Sequence, residues 1–207
     1  MDIMRAPLLI LVVNVSFLVA GCGAKQAEQP KVAAAPQYMP EATIKDIMDS
    51  VVDPNADFLW DSTATRETLG KGVSVKAPHT DEEWEEVRRH AIALVEAANL
   101  LLIPNRRVGK PGERSGNPDI ELGPEEIQPL IDHDRAAWET HVRALHDSVM
   151  ASLKAIEAKD VQGLSENGDK MDTYCEACHV VYWYPKDKYS KELYQDSLRR
   201  AQGPPDR

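Results

Sequence analysis

Four stretches of this chain repeat apolar residues every three or four positions, and that period selects helices packed on helices. The first covers roughly Glu41–Asp61, with Ile44, Ile47, Met48, Val51, Val52, Leu59 and Trp60 in step. Pro54 must kink or interrupt it. The second opens on Thr80-Asp81-Glu82-Glu83, a capping box in form. It continues through Trp84, Val87, Ala91, Leu94, Val95, Ala98, Leu101 and Leu102 until Pro104 stops it. The third spans about Pro124 to Ala158, with Ile127, Ile131, Trp138, Val142, Leu145, Val149, Leu153 and Ile156 on one side. The fourth starts near Asp160, carries Val161, Leu164, Gly168, Met171 and Cys175 on one face, and is bounded by Pro185. Between the second and third lies a loop, Asn105 to Gly123, punctuated by Gly109, Gly112, Gly116, Pro111 and Pro118. A short terminal helix is expected around Glu192–Arg200. Few glycines and long stripes give an all-α domain, and short connections give an antiparallel four-helix bundle.

The N-terminus reads as an export signal. Arg5 precedes an apolar run from Ala6 to Ala20 that is broken only by Asn14 and Ser16. That run is short for a membrane span and fits a processed leader. It ends at Val19-Ala20-Gly21-Cys22, which looks like a bacterial lipobox with Cys22 as the lipidated residue. A plain leader or an uncleaved anchor are the alternatives. The expected organisation is a lipoprotein signal peptide over 1–21, a lipid-anchored flexible tether over 22–40, and one bundle domain over 41–207. The tether is Ala-, Pro- and Gln-rich without a core pattern. The expected location is the bacterial cell envelope, lipid-anchored and facing the periplasm.

Charge excludes one class of partner. With 24 basic and 34 acidic residues, a formal charge of −10, the chain is not built for nucleic acid. An acidic surface permits docking to a basic protein patch, and it also keeps a protein soluble.

The residues that carry chemistry are Cys175-Glu176-Ala177-Cys178-His179. C-x-x-C-H is the attachment signature of c-type haem. Two thiols add across the two vinyl groups, and the histidine reaches the iron as proximal ligand. On a helix these three side chains share one face. Three other uses of the motif stand beside this one. Zinc needs four ligands, and there is no second cysteine pair. A thioredoxin-like dithiol expects a βαβ context, which is not visible here. A disulfide across two residues would hold little of the fold. The export signal weighs toward haem, since a lipidated Cys22 leaves Cys175 and Cys178 as the remaining thiols and places them where cytochrome c maturation occurs.

A helical bundle with C-x-x-C-H on its last helix, followed by Tyr182 and Pro185, resembles the class II c-type cytochromes: cytochrome c′ and its cytochrome c-556-like relatives. The stretch from Ile47 to Pro54 and on to Trp60 resembles a lipoprotein or periplasmic branch of that group. The resemblance covers about residues 41–185. It implies one covalent haem c on the last bundle helix, with Cys175 and Cys178 as thioethers and His179 on the iron. Three features depart from the family: the long leader and tether, the large 105–123 loop, and the tail that runs on from His179 to Arg207. Cytochrome c′ often has an arginine on the first helix near the haem edge. Here Lys45 is the nearest candidate.

The resemblance also poses the question of the sixth ligand. The c-556-like members place a first-helix methionine on the iron, whereas the c′ members leave that side open to nitric oxide or carbon monoxide. Met48 is the candidate sixth ligand, a soft thioether suited to iron; a methionine on a helix stripe is also ordinary core. Met39 is a second candidate, in the tether. Of the other histidines, His79, His90, His133 and His146 read as surface or boundary residues, and His141 borders its stripe. Trp60, Trp84 and Trp138 fit either porphyrin packing or core, while Tyr182 and Trp183 are expected to cover an exposed haem edge.

Three functions follow as expectations. The first is a mono-haem electron carrier, with redox partner proteins, a membrane contact through the lipid and a possible homodimer. The second is a five-coordinate protein that binds nitric oxide or carbon monoxide. The third is a non-haem lipid-anchored helical module. No phosphate loop, nucleophile elbow or H-E-x-x-H is present, so no enzyme is expected.

Overall fold

The computed structural model describes residues 38–68, 72–189 and 192. The leader, Cys22, most of the tether and nearly all of the expected terminal helix lie outside the described residues. The elements are α1 (Ile44–Ile47), a π-helical segment (Met48–Val52), α2 (Asp53–Ser62), β1 (Thr65–Thr68), β2 (Gly72–Val75), α3 (Asp81–Leu101), α4 (Pro124–His133), α5 (Arg135–Glu157) and α6 (Val161–Tyr182). The fold is mainly helical. α5 packs against both α3 and α6, and α2 packs against α3. The strands β1 and β2 form an antiparallel hairpin with Thr65 opposite Val75. That hairpin is a departure from the all-α expectation. β1, Thr-Arg-Glu-Thr, is polar, and the alternation of Val73 and Val75 in β2 is only four residues long and faces solvent, too short a signal for sequence patterning.

Local chemistry sets the helix ends. Thr43 caps α1, accepting from the Asp46 N–H while the Asp46 carboxylate accepts from the Thr43 N–H. Thr80 and Glu83 form the reciprocal pair expected at the start of α3. Asp160 caps α6 through the Gly163 N–H. Such caps satisfy donors that the first turn leaves without helical partners. Asp46 also meets the Lys110 ammonium at 2.9 Å, and that bond with the Thr43 bonds lowers its pKa to about 2. A carboxylate depressed on folding stabilises above its unfolded pKa, and the benefit is lost as pH falls through the folded value. Acid titration of stability should therefore steepen between about pH 4 and pH 2, and Asp46→Asn should flatten that part of the curve. An identical curve for the variant would show that Asp46 contributes nothing.

Pro54 does not break the first helix. In an α-helix its ring would strike the carbonyl of Ser50. The chain instead opens into the π turn, in which the Asp53 N–H reaches the Met48 carbonyl five residues back. The Asn55 side chain donates to the Val51 carbonyl at 2.6 Å, beside the widened turn. The third stripe, by contrast, is two helices rather than one. Asp134, with φ −132° and ψ 72°, interrupts it and caps α5 by accepting from the Ala137 N–H. Aspartate competes for backbone donors, and that preference won over the continuous apolar period. The core runs through all the helices, and Leu94, Leu101, Ile131, Val149, Leu164 and Met171 are among its fully buried side chains. Trp60 ties α2 to α6 by donating to the Gly168 carbonyl at 3.0 Å. A Cβ at Gly168 would lie 3.3 Å from the Trp60 ring, a tight contact.

Candidate functional site

Two adjoining cavities, of about 360 Å³ and 60 Å³, form one groove beside α6. Its first wall is a four-residue step along the first helix: Ile44, Met48, Val52, Ala56 and Trp60. Its second wall is α5, through Trp138, His141, Val142 and Leu145. Its third is α6, through Cys175, Cys178, His179 and Tyr182. Met48, Asp53, Trp138, Cys178 and His179 face both cavities and mark the middle of the groove. Cys175 belongs to the smaller end alone. Arg114, Ser115 and Glu121 from the 105–123 loop belong to the larger end alone.

The two sulfurs are not joined to each other. Burial, with Asp172 and Asp53 adding to it at Cys175, pushes both thiols up to about 12. Reactive dithiols work the other way, through depressed pKa values, so the dithiol reading loses its chemistry. Among the described residues no three His, Cys, Asp or Glu side chains converge as metal ligands. Burial lowers the His179 pKa and keeps the imidazole neutral, the form that binds a metal. The His179 ring meets Trp183 and Tyr184 edge-on, at 5.1 and 5.7 Å between centroids. Its carbonyl accepts the N–H groups of both. Tyr184 in turn donates to Glu176 at 2.6 Å. The turn after α6 thus fixes the C-x-x-C-H helix end.

These residues fit a haem c. The groove is apolar along its walls, its volume falls in the range of ligand pockets, one unpaired thiol stands at the narrow end, and the other stands at the centre beside a neutral imidazole.

Met48 reaches the groove and also packs against the core. Met39 is 92% exposed and lines neither cavity. His141 lines the smaller cavity, with its pKa lowered by burial and its ring edge-on to Tyr182 at 5.9 Å. His79 and His133 are exposed, and His146 bonds to Asp147. His90 stacks on Phe58 and pairs with Asn55. Trp138 lines the groove, donating to the Leu101 carbonyl, whereas Trp84 is plain core. Tyr182 corrects an expectation: it is buried against Trp138 rather than covering an outer edge. Its position three after His179 turns it inward. Trp183 stays at the mouth. Lys45 lines the larger cavity and pairs with Asp49 at 2.7 Å and Glu113 at 3.3 Å. Sequence patterning missed Asp53 and the loop residues Arg114, Ser115 and Glu121. A loop without a period offers no signal for them.

No family model matches the chain, and no curated protein matches it. Two solved structures are similar to it, nitric oxide complexes of two mutants of cytochrome c prime from Alcaligenes xylosoxidans. Both are 17% identical, with 69% and 70% of this chain and 98% of theirs covered and TM-scores of 0.42 and 0.43. A likeness at that level decides nothing about the fold or the ligand of this chain.

Proposed function

We propose that the chain is a mono-haem c-type cytochrome. It is built as an antiparallel four-helix bundle, with haem c held by thioethers from Cys175 and Cys178 and its iron by His179. One observation carries this: the complete C-x-x-C-H set faces a single apolar groove. Bound haem would supply an iron able to change by one electron or to take a diatomic gas. The chain's residues hold that iron on a neutral imidazole, keep water from it with Ile44, Val52, Trp138 and Val142, and leave the first-helix side to decide its coordination.

The first reading is a five-coordinate protein that binds nitric oxide or carbon monoxide. Met48 packing as a core side chain favours it. The second is a six-coordinate electron carrier with Met48 on the iron, favoured by the place of Met48 at the middle of the groove. Export and lipidation at Cys22 complete the proposal and put the protein at the periplasmic side of a membrane.

Mature protein, made with the cytochrome maturation machinery, should stain for haem after denaturing electrophoresis, and its intact mass should include both haem and lipid. Reduced protein should bind carbon monoxide rapidly and completely. If wild type refuses carbon monoxide while Met48→Ala accepts it, the electron-carrier reading holds instead. A colourless mature protein removes haem altogether.

A further inference from the structure

The wide end of the groove carries charges that an apolar cofactor does not need. Asp49, Asp53 and Glu121 line it, as do Lys45 and Arg114. Glu121 is engaged, accepting from the Ser115 hydroxyl and from the Asn117 N–H at 3.0 Å. Lys45 is engaged by Asp49 and Glu113. Among the described residues Arg114 has no ion-pair or hydrogen-bond partner. It is held beside the groove by a loop that is itself tied down. The Leu122 N–H donates to the Trp183 carbonyl at 2.7 Å, and the Lys186 ammonium reaches the Pro118 carbonyl at 3.2 Å.

We propose that Arg114 anchors a haem propionate. This rests on the haem reading above and adds a residue to it. Haem carries its two propionates on the side of the ring opposite its vinyl groups. Cys175 marks the narrow end of the groove as the vinyl end, so the carboxylates face the wide end. There three acidic side chains would repel them, and a cation is required. Arginine suits the task, because its planar fork meets a carboxylate with two parallel hydrogen bonds. The anchor comes from the long loop, not from the first helix, where Lys45 is already spent on its own carboxylates.

The test is the midpoint potential of holoprotein followed against pH, which reads the ionisation of a group coupled to the iron. A guanidinium beside a carboxylate favours its charged form and lowers its pKa, so removing it raises that pKa by about 1–2 units. In Arg114→Gln the pH-dependent wave should move up by that amount, and the potential above it should fall because a positive charge near the iron has gone. Arg114→Lys should recover part of both shifts. Lys110→Gln is the control: Lys110 pairs with Asp46 and lines neither groove cavity, so it should leave the wave in place. The proposal is overturned if Arg114→Gln reproduces the wild-type curve, or if Lys110→Gln shifts it equally. Haem staining of the same samples separates the two layers. A stained Arg114→Gln protein with an unmoved wave rejects the anchor alone, whereas an unstained wild type rejects the haem reading and the anchor with it.

Discussion

A chain carrying both Cys175→Ala and Cys178→Ala should lose all haem stain under denaturing conditions and melt about 10 °C lower than wild type. The first effect follows from covalency. With no sulfur left at the narrow end, porphyrin has no bond that survives unfolding, and His179 alone is a reversible ligand. The second follows from what the groove is made of. Its walls are side chains from the first helix, α5 and α6, and whatever fills the space between them adds to the direct packing of α5 on α6. Emptying it exposes apolar surface and removes contacts, a loss on the order of 4 kcal/mol for a ligand held well above its dissociation constant. In a domain of this size that is roughly 2–4 °C per kcal/mol. Thermal melting followed by circular dichroism reads the midpoint. Stain in the double variant would mean that haem is attached elsewhere. An unchanged midpoint in variant protein whose visible spectrum shows no bound haem would mean that the groove gains nothing from its occupant.

The site was more legible in the sequence than the scaffold around it. Cys175, Cys178 and His179 are adjacent in the chain, and one helical turn brings them to one face. Met48 and Trp138 could be named as candidates because apolar period marks an inward face, though period cannot say whether inward means core or cofactor. Met48 packs on the core and also lines the groove. The break at Asp134 was hidden for a physical reason. Ile131 and Trp138 stay in step across it, so hydrophobic spacing reads straight through, while the cap that divides α4 from α5 is one carboxylate. The π turn was half legible: Pro54 announced a disturbance, but a widened turn and a broken helix have the same sequence. Arg114 was invisible. Its position depends on how a glycine-rich loop returns to the end of α6, through backbone bonds that any residue could make.

The stability of that loop turns on Arg106, and Arg106→Leu should cost about 1–3 kcal/mol. The side chain is 5% exposed, and among the described residues no carboxylate pairs with it. Its Nε donates to the Leu100 carbonyl at 3.0 Å, in the last turn of α3, and its Nη1 donates to the Ala42 carbonyl just before α1. A cation at a helix C-terminus is favourable, and here it adds a second donor to a carbonyl that otherwise accepts only in the closing turn, from the Ile103 N–H at 3.3 Å. Two effects oppose each other in the leucine variant. Removing a buried charge recovers its desolvation cost, which is why exchanging a whole buried ion pair for apolar residues can be neutral. Here only the donor goes. The Leu100 carbonyl keeps the Ile103 N–H at 3.3 Å, but the Ala42 carbonyl remains at about 1–3 kcal/mol when left unmet, so the loss wins. The damage should also spread, because the next residues pair with the first helix: the Ile44 N–H donates to the Arg107 carbonyl at 2.8 Å and the Lys45 N–H to that of Val108 at 2.9 Å. Arg106→Lys keeps the charge but cannot span two carbonyls with one ammonium as a guanidinium does, and should lose roughly half as much. Urea unfolding of the three proteins gives the order wild type, Arg106→Lys, Arg106→Leu. A leucine variant as stable as wild type would show that the desolvation cost outweighs both bonds and that backbone pairing alone holds the loop against α1.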